Sequence, residues 1–191
     1  MVLSPQEKPK YSPEQQTKKK GLIMIHTGNG KGKTSAALGV AFRAAGNNMR
    51  VSIVQFIKGK WKYGELEAAK QLKTPIEIYQ MGEGFTWETQ NRSRDIETTH
   101  KAWALCKEKM MSEKYDVVIF DEINYVIDYN YLNVNEVIEA LKKKPEMVHV
   151  ILTGRNAKPE LIETADLVTE MKEIKHPFKD QGILAQKGIE F

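Results

Sequence analysis

One cysteine, Cys106, stands in 191 residues, so no disulfide can close within the chain and stability must come from packing. With no secretion signal recognisable, a cytoplasmic, reduced protein is expected. Cys106 falls in helical phase with Ile96, Thr99, Trp103 and Met110, and reads better as a small buried apolar side chain than as a nucleophile. No apolar run approaches the roughly 18 residues of a membrane span. His26, His100, His149 and His176 have no mutual metal-ligand spacing and read as structural or solvated. Excess charge is scarce too. Lys+Arg 29 against Asp+Glu 25 gives +4, and residues 1–20, with five lysines and two glutamates, carry three of those charges. A nearly balanced remainder argues against a broad nucleic-acid surface. Residues 1–20 hold Pro5, Pro9 and Pro13 and no aliphatic periodicity. They are expected to form a flexible basic arm before one domain at 21–191.

What is present is alternation. Short β-branched runs, ending at Thr27 and spanning 51–57, 76–81, 116–120 and 149–153, read as strands. An Ala-rich helical run that ends at Gly46 follows the first strand, and amphipathic stretches lie near 64–72, 95–112 and 133–144, where Asn133 with Glu136 resembles a capping box; Pro159 suits the first turn of another helix near 159–165. Such alternation predicts an α/β fold: a mainly parallel central sheet flanked by helices on both faces, with ligands at the carboxyl ends of the strands.

The segment HTGNGKGKT, residues 26–34, joins a strand to an Ala-rich helix and reads as a phosphate-binding loop. The Walker pattern wants glycine where Thr27 stands, yet Gly32-Lys33-Thr34 opens the helix as the pattern requires. Gly28, Asn29, Gly30, Lys31, Gly32, Lys33, Thr34 and Ser35 are the candidate phosphate binders. Backbone N–H groups form the cradle, Lys33 supplies a cation, and the hydroxyls can face a metal. Lys31 touches phosphate or is simply solvated.

DVVIFDE, 116–122, is a buried run ending in Asp121 and Glu122. Two carboxylates at a strand end either start the next helix or, opposite the P-loop hydroxyl, hold Mg2+. Arg155 in TGRNA stands past another strand end, suited to phosphate or simply exposed. GEGFTWETQNR, 82–92, carries Phe85 and Trp87 in a polar, glycine-flanked loop. The two rings either fold back onto the core or form a platform for a large flat ligand.

HTGNGKGKT, VQFIKG (54–59), GFTWETQNR (84–92), DEINYVIDYNYL (121–132), LTGR (152–155) and the ending KHPF with QKGIEF together make the chain resemble the cytoplasmic ATP:corrinoid adenosyltransferases of the CobA/CobO/BtuR type. The resemblance spans Gly21 to Phe191 and implies a P-loop, RecA-like three-layer fold. It implies transfer of the 5′-deoxyadenosyl group of ATP to the cobalt(I) of a reduced corrinoid, with triphosphate leaving. By the same resemblance Glu122 and Thr34 are the Mg2+ site with Asp121 their neighbour, Gly28 to Ser35 cradle the triphosphate, and Arg155 is a nucleotide-side arginine. Phe85 and Trp87 pack beneath the corrin and displace the lower axial ligand of cobalt(II), which eases its reduction. A homodimer and an electron-donating flavoprotein partner are implied in the same way. Ser35 stands where threonine is common in the family, and members commonly have a longer segment before the first strand, which can fold over the corrinoid. The rival expectation is a P-loop kinase or ATPase using Lys33, Thr34 and the carboxylates at the γ-phosphate. A non-catalytic nucleotide or corrinoid carrier is a third.

Overall fold

The β-branched runs become strands and the amphipathic runs become helices in a computed structural model describing residues 19–59, 63–82 and 91–190. In chain order these are β1 (Ile23–Thr27), α1 (Lys33–Gly46), β2 (Val51–Gln55), α2 (Gly64–Lys70), β3 (Ile76–Gln80), α3 (Arg92–Met111) and β4 (Val117–Asp121). Next come α4 (Ile123–Asp128), α5 (Val134–Lys142), β5 (His149–Thr153), α6 (Pro159–Thr164), β6 (Leu167–Glu170) and α7 (Pro177–Gln181). The six strands form one sheet in the order β3-β2-β4-β5-β1-β6, every neighbouring pair parallel.

Each face of that sheet has its own cover. Against one lie Ala37, Ala41 and Ala44 of α1, meeting Val51, Ile53, Val117, Ile119 and Ile151. Alanines bring the helix axis close, which seats the start of α1 against the strand ends. On the other face Trp103, Cys106 and Met110 of α3, Val137 and Leu141 of α5 and Leu161 of α6 cover Val54, Val118, Phe120, Val150 and Leu152. Trp103 meets Phe120 edge-on, with ring centroids 5.9 Å apart. Each fully buried aliphatic or aromatic side chain here contributes about 1.5–3 kcal/mol. Cys106 is completely buried, and burial pushes its thiol pKa up, away from nucleophile chemistry.

Several details depart from the sequence reading. Helix α3 starts at Arg92, where the Asn91 side chain accepts the Arg94 N–H at 3.1 Å. Asn133 does cap α5, accepting from Asn135 N at 2.9 Å, but Glu136 does not complete a capping box. Its carboxylate instead takes the Trp103 indole N–H at 2.5 Å and Lys107 Nζ at 3.1 Å, tying α5 to α3. Strand β6 and helices α4 and α7 carry no strong periodicity and were not expected; all four residues of β6 are exposed on an edge strand.

Candidate active site

Parallel strands put all their carboxyl ends on one edge, and there β5 lies between β1, which feeds the P-loop, and β4, which ends in Asp121. Gln55 of β2 stands beside Asp121 in register, and Thr153 stands beside His26 of β1. Gln55, Asp121, Thr153 and His26 therefore form a row of polar residues under the P-loop, on the face that α1 covers.

The P-loop glycines divide their work. Gly28 and Gly32 take positive φ values of 93° and 106°, and Gly32 is the left-handed residue from which α1 starts. A side chain at Gly28 or Gly30 would strike Met171 O, at 2.5 and 2.8 Å from the added carbon, so both make room for the chain leaving β6. Gly30 also donates its N–H to Met171 O at 2.6 Å, so this amide faces the neighbouring strand exit and is not one of the inward-pointing groups the sequence reading assumed. Thr27, in the place of the Walker glycine, is buried, and its hydroxyl accepts the Ala157 N–H at 3.2 Å.

Lys33 is buried and donates to Gly30 O at 2.6 Å. Burial lowers its pKa, opposed by the negative charge of Glu122. Thr34 donates its hydroxyl to Asp121 Oδ1 at 2.8 Å. Asn29, Lys31 and Ser35 are exposed, and Lys31 pairs with Glu190 near the chain end.

Asp121, 1% exposed, is crowded with donors: Thr34 and Thr153 hydroxyls on Oδ1, each at 2.8 Å, and Gln55 Nε2 on Oδ2 at 3.2 Å. Lys58 Nζ lies 3.9 Å from Oδ2, held by Glu65 at 2.8 Å and lying over the Tyr63 ring. Glu122 takes a left-handed backbone, φ 65°, and gives its N–H to Thr153 Oγ1 at 2.8 Å. Gly154, φ 125°, leaves space for its carboxylate; a carbon added there would come within 3.2 Å of Glu122 Oε2. Burial, and next the charge of Asp121, raise the Glu122 pKa to about 7, against the pull of Lys33, Lys58 and Arg155.

Arg155 is exposed, but its loop is pinned on both sides. Gly154 N donates to His26 O at 3.2 Å, Ala157 N to Thr27 Oγ1, Asn156 Nδ2 to Asp128 Oδ2 at 2.8 Å and Lys158 Nζ to Asp128 Oδ1 at 2.7 Å. Arg155 contributes to the charge balance of both Lys33 and Glu122, which sets it on the same side of the site.

Oxygen donors suit Mg2+, which takes one or two carboxylates with phosphate and water. The local set fits: a hydroxyl whose proton points at Asp121, and a carboxylate pushed toward protonation by burial and then by a like neighbour, which a cation would relieve. Among the described residues no group of three or more His, Cys, Asp and Glu could hold a metal, so these residues would rely on phosphate oxygens to complete the shell. Phe85 and Trp87 lie outside the described residues. Strand β3, which precedes them in the chain, ends at the same sheet edge, where Gly82 packs against the Ile57 backbone. The sequence alone gives no role to Gln55, Lys58 or Thr153; for Gln55 and Thr153 the available signal is a polar residue at the end of a buried strand.

Residues 19–191 match the family described as ATP:corrinoid adenosyltransferase BtuR/CobO/CobP. A corrinoid adenosyltransferase of Sinorhizobium sp is 51% identical over 177 residues, covering 92% of this chain and 82% of the relative. Another, of Pseudomonas aeruginosa, is 44% identical over 172 residues, covering 90% and 84%. Among solved structures, the flagellar accessory protein FlaH of Methanocaldococcus jannaschii is similar at TM-score 0.45 and 18% identity, over 78% of this chain and 70% of that one.

Proposed function

The chain belongs to the ATP:corrinoid adenosyltransferase family, and from that premise we propose how its residues carry out the transfer of the adenosyl group of ATP to a corrinoid. ATP lies with its triphosphate along residues 28–35 and its ribose 5′ carbon toward the corrin. Cobalt(I) attacks that carbon, the carbon–oxygen bond to the triphosphate breaks, and both electrons of the new bond come from cobalt, which becomes cobalt(III). The protein needs no nucleophile of its own.

Rate then depends on alignment of cobalt with carbon and on stabilising charge that develops on the leaving triphosphate. Lys33 stands at the loop with a cation, and Arg155 adds a second from a pinned loop. Magnesium, when bound, neutralises phosphate charge; Thr34 and Glu122 would hold it, with Asp121 keeping the Thr34 proton turned away. Phe85 and Trp87 take the corrin face and favour four-coordinate cobalt(II) before its reduction. A homodimer, a flavoprotein electron donor, a cytoplasmic setting and a single domain over 21–191 belong to the same reading.

The observation that carries the residue assignments is the contact of Thr34, at the start of α1, with Asp121 at the end of β4. The test is incubation with ATP, Mg2+ and chemically reduced cob(I)alamin. Triphosphate together with a photolabile cobalt–carbon product supports direct transfer. Corrinoid-independent release of ADP or phosphate, with no such product, identifies a γ-phosphate enzyme and overturns it.

A further inference from the structure

Resting on the metal reading above, we propose that Thr153 is a positioning residue that sets both carboxyl-bearing residues of the site, and through Asp121 orients Thr34 toward Mg2+. Thr153 ends β5, the strand between the P-loop strand and the Asp121 strand, and is completely buried. A hydroxyl has one proton and two lone pairs. Here the proton goes to Asp121 Oδ1, 2.8 Å away, and a lone pair accepts the Glu122 N–H at 2.8 Å. One side chain thus fixes the carboxylate of Asp121 and the backbone of Glu122.

The Glu122 contact matters because that residue stands at φ 65°, a conformation that is costly for a side-chain-bearing residue unless its surroundings hold it. Its N–H is bound to the Thr153 hydroxyl, so the strained turn and the direction of the Glu122 side chain share one anchor. The Asp121 contact matters for a different reason. With Thr153 on Oδ1 and Gln55 on Oδ2, the carboxylate plane is set, and the Thr34 proton is drawn to Oδ1. Thr34 then presents lone pairs, the metal-binding side of a hydroxyl, away from Asp121. Supporting groups of this kind govern metal affinity without touching the metal.

Thr153→Val keeps the shape and removes both bonds; Thr153→Ser keeps the hydroxyl. Binding of Mn2+ to the protein in the presence of ATP, followed by the loss of the free-ion magnetic resonance signal, reads the metal site directly. ATP affinity in EDTA and the thermal midpoint report the rest of the fold. The expected result is Mn2+ binding about 10–100-fold weaker in Thr153→Val, with metal-free ATP affinity unchanged and Thr153→Ser close to the parent protein. Unchanged Mn2+ binding in Thr153→Val overturns the proposal, as does an equal loss of metal-free ATP affinity, which marks general damage, or a failure of serine to restore binding. A parent protein that binds ATP but no Mn2+ with it overturns the magnesium reading itself.

Discussion

Thr27 Oγ1 accepts the Ala157 N–H at 3.2 Å, joining the end of β1 to the loop that carries Arg155. The residue that breaks the Walker pattern is therefore a tether. Thr27→Gly restores the pattern, yet it removes this acceptor and loosens the strand end, at a cost of about 1–2 kcal/mol. The expected result is a higher KM for ATP and a lower thermal midpoint, with Thr27→Ser close to the parent. A Thr27→Gly protein with unchanged KM would show that the tether does not position the nucleotide.

Asp121 acts through the protons it accepts. Asp121→Asn keeps the size but turns an acceptor of two hydroxyl protons into a weaker, uncharged one, so Thr34 loses its orientation. Transfer from cob(I)alamin is expected to fall about 10–100-fold, with the Mg2+ concentration for half-activation rising. A loss of rate without any shift in Mg2+ requirement would assign Asp121 another role.

Glu122 supplies a pH test whose direction follows from its pKa, raised from 4.5 to about 7. The folded protein holds this proton more tightly than the unfolded chain. Between those two values it binds more protons, so this group's contribution to stability falls as pH rises through that window. Without metal, Glu122→Gln is expected to melt above the parent at pH 8 and together with it near pH 4.5. On the proposed metal reading, binding would run the other way: it would need the carboxylate, strengthen as pH rises through about 7, and release a proton. Melting curves at the two pH values check the sign; a Gln variant less stable than the parent at pH 8 contradicts it.

The alternation of strand and helix was legible because β1, β2, β4 and β5 are buried on both sides, so their apolar runs are nearly continuous and hard to mistake. Edge strand β6 has no such run, since its residues are exposed, and α4 and α7 are too short for a 3.6-residue period to show. The P-loop and the Asp121–Glu122 pair could be read because their chemistry is contiguous in sequence. Gln55, Thr153 and Asp121 meet only because three strands are hydrogen-bonded in register, a relation no local window contains. Gly30 misled for a similar reason: its N–H is taken by Met171, 141 positions further along the chain.

Cys106 is enclosed between α3 and the sheet, and its thiol is held protonated by burial. Cys106→Ala is expected to leave transfer intact and to lower stability by about 1–3 kcal/mol through lost packing. Thiol alkylation should be slow in the native protein and fast in denaturant. Loss of activity in a variant that remains folded would reopen the nucleophile reading.

On the proposed reading, Trp87, paired with Phe85 two residues before it, would separate the two halves of the reaction. The transfer step begins from cobalt(I), which has no need of help in losing an axial ligand. Reduction of cobalt(II) does, because removing the axial donor lowers the energy of the orbital that receives the electron. Trp87→Ala is therefore expected to retain most transfer from chemically pre-reduced cob(I)alamin and to lose much more when the reaction starts from cob(II)alamin with a reduced flavin donor. The check is to measure both rates on the same preparation, beside Phe85→Ala. Equal losses from the two starting states would assign the rings to corrin binding alone and remove them from the reduction step.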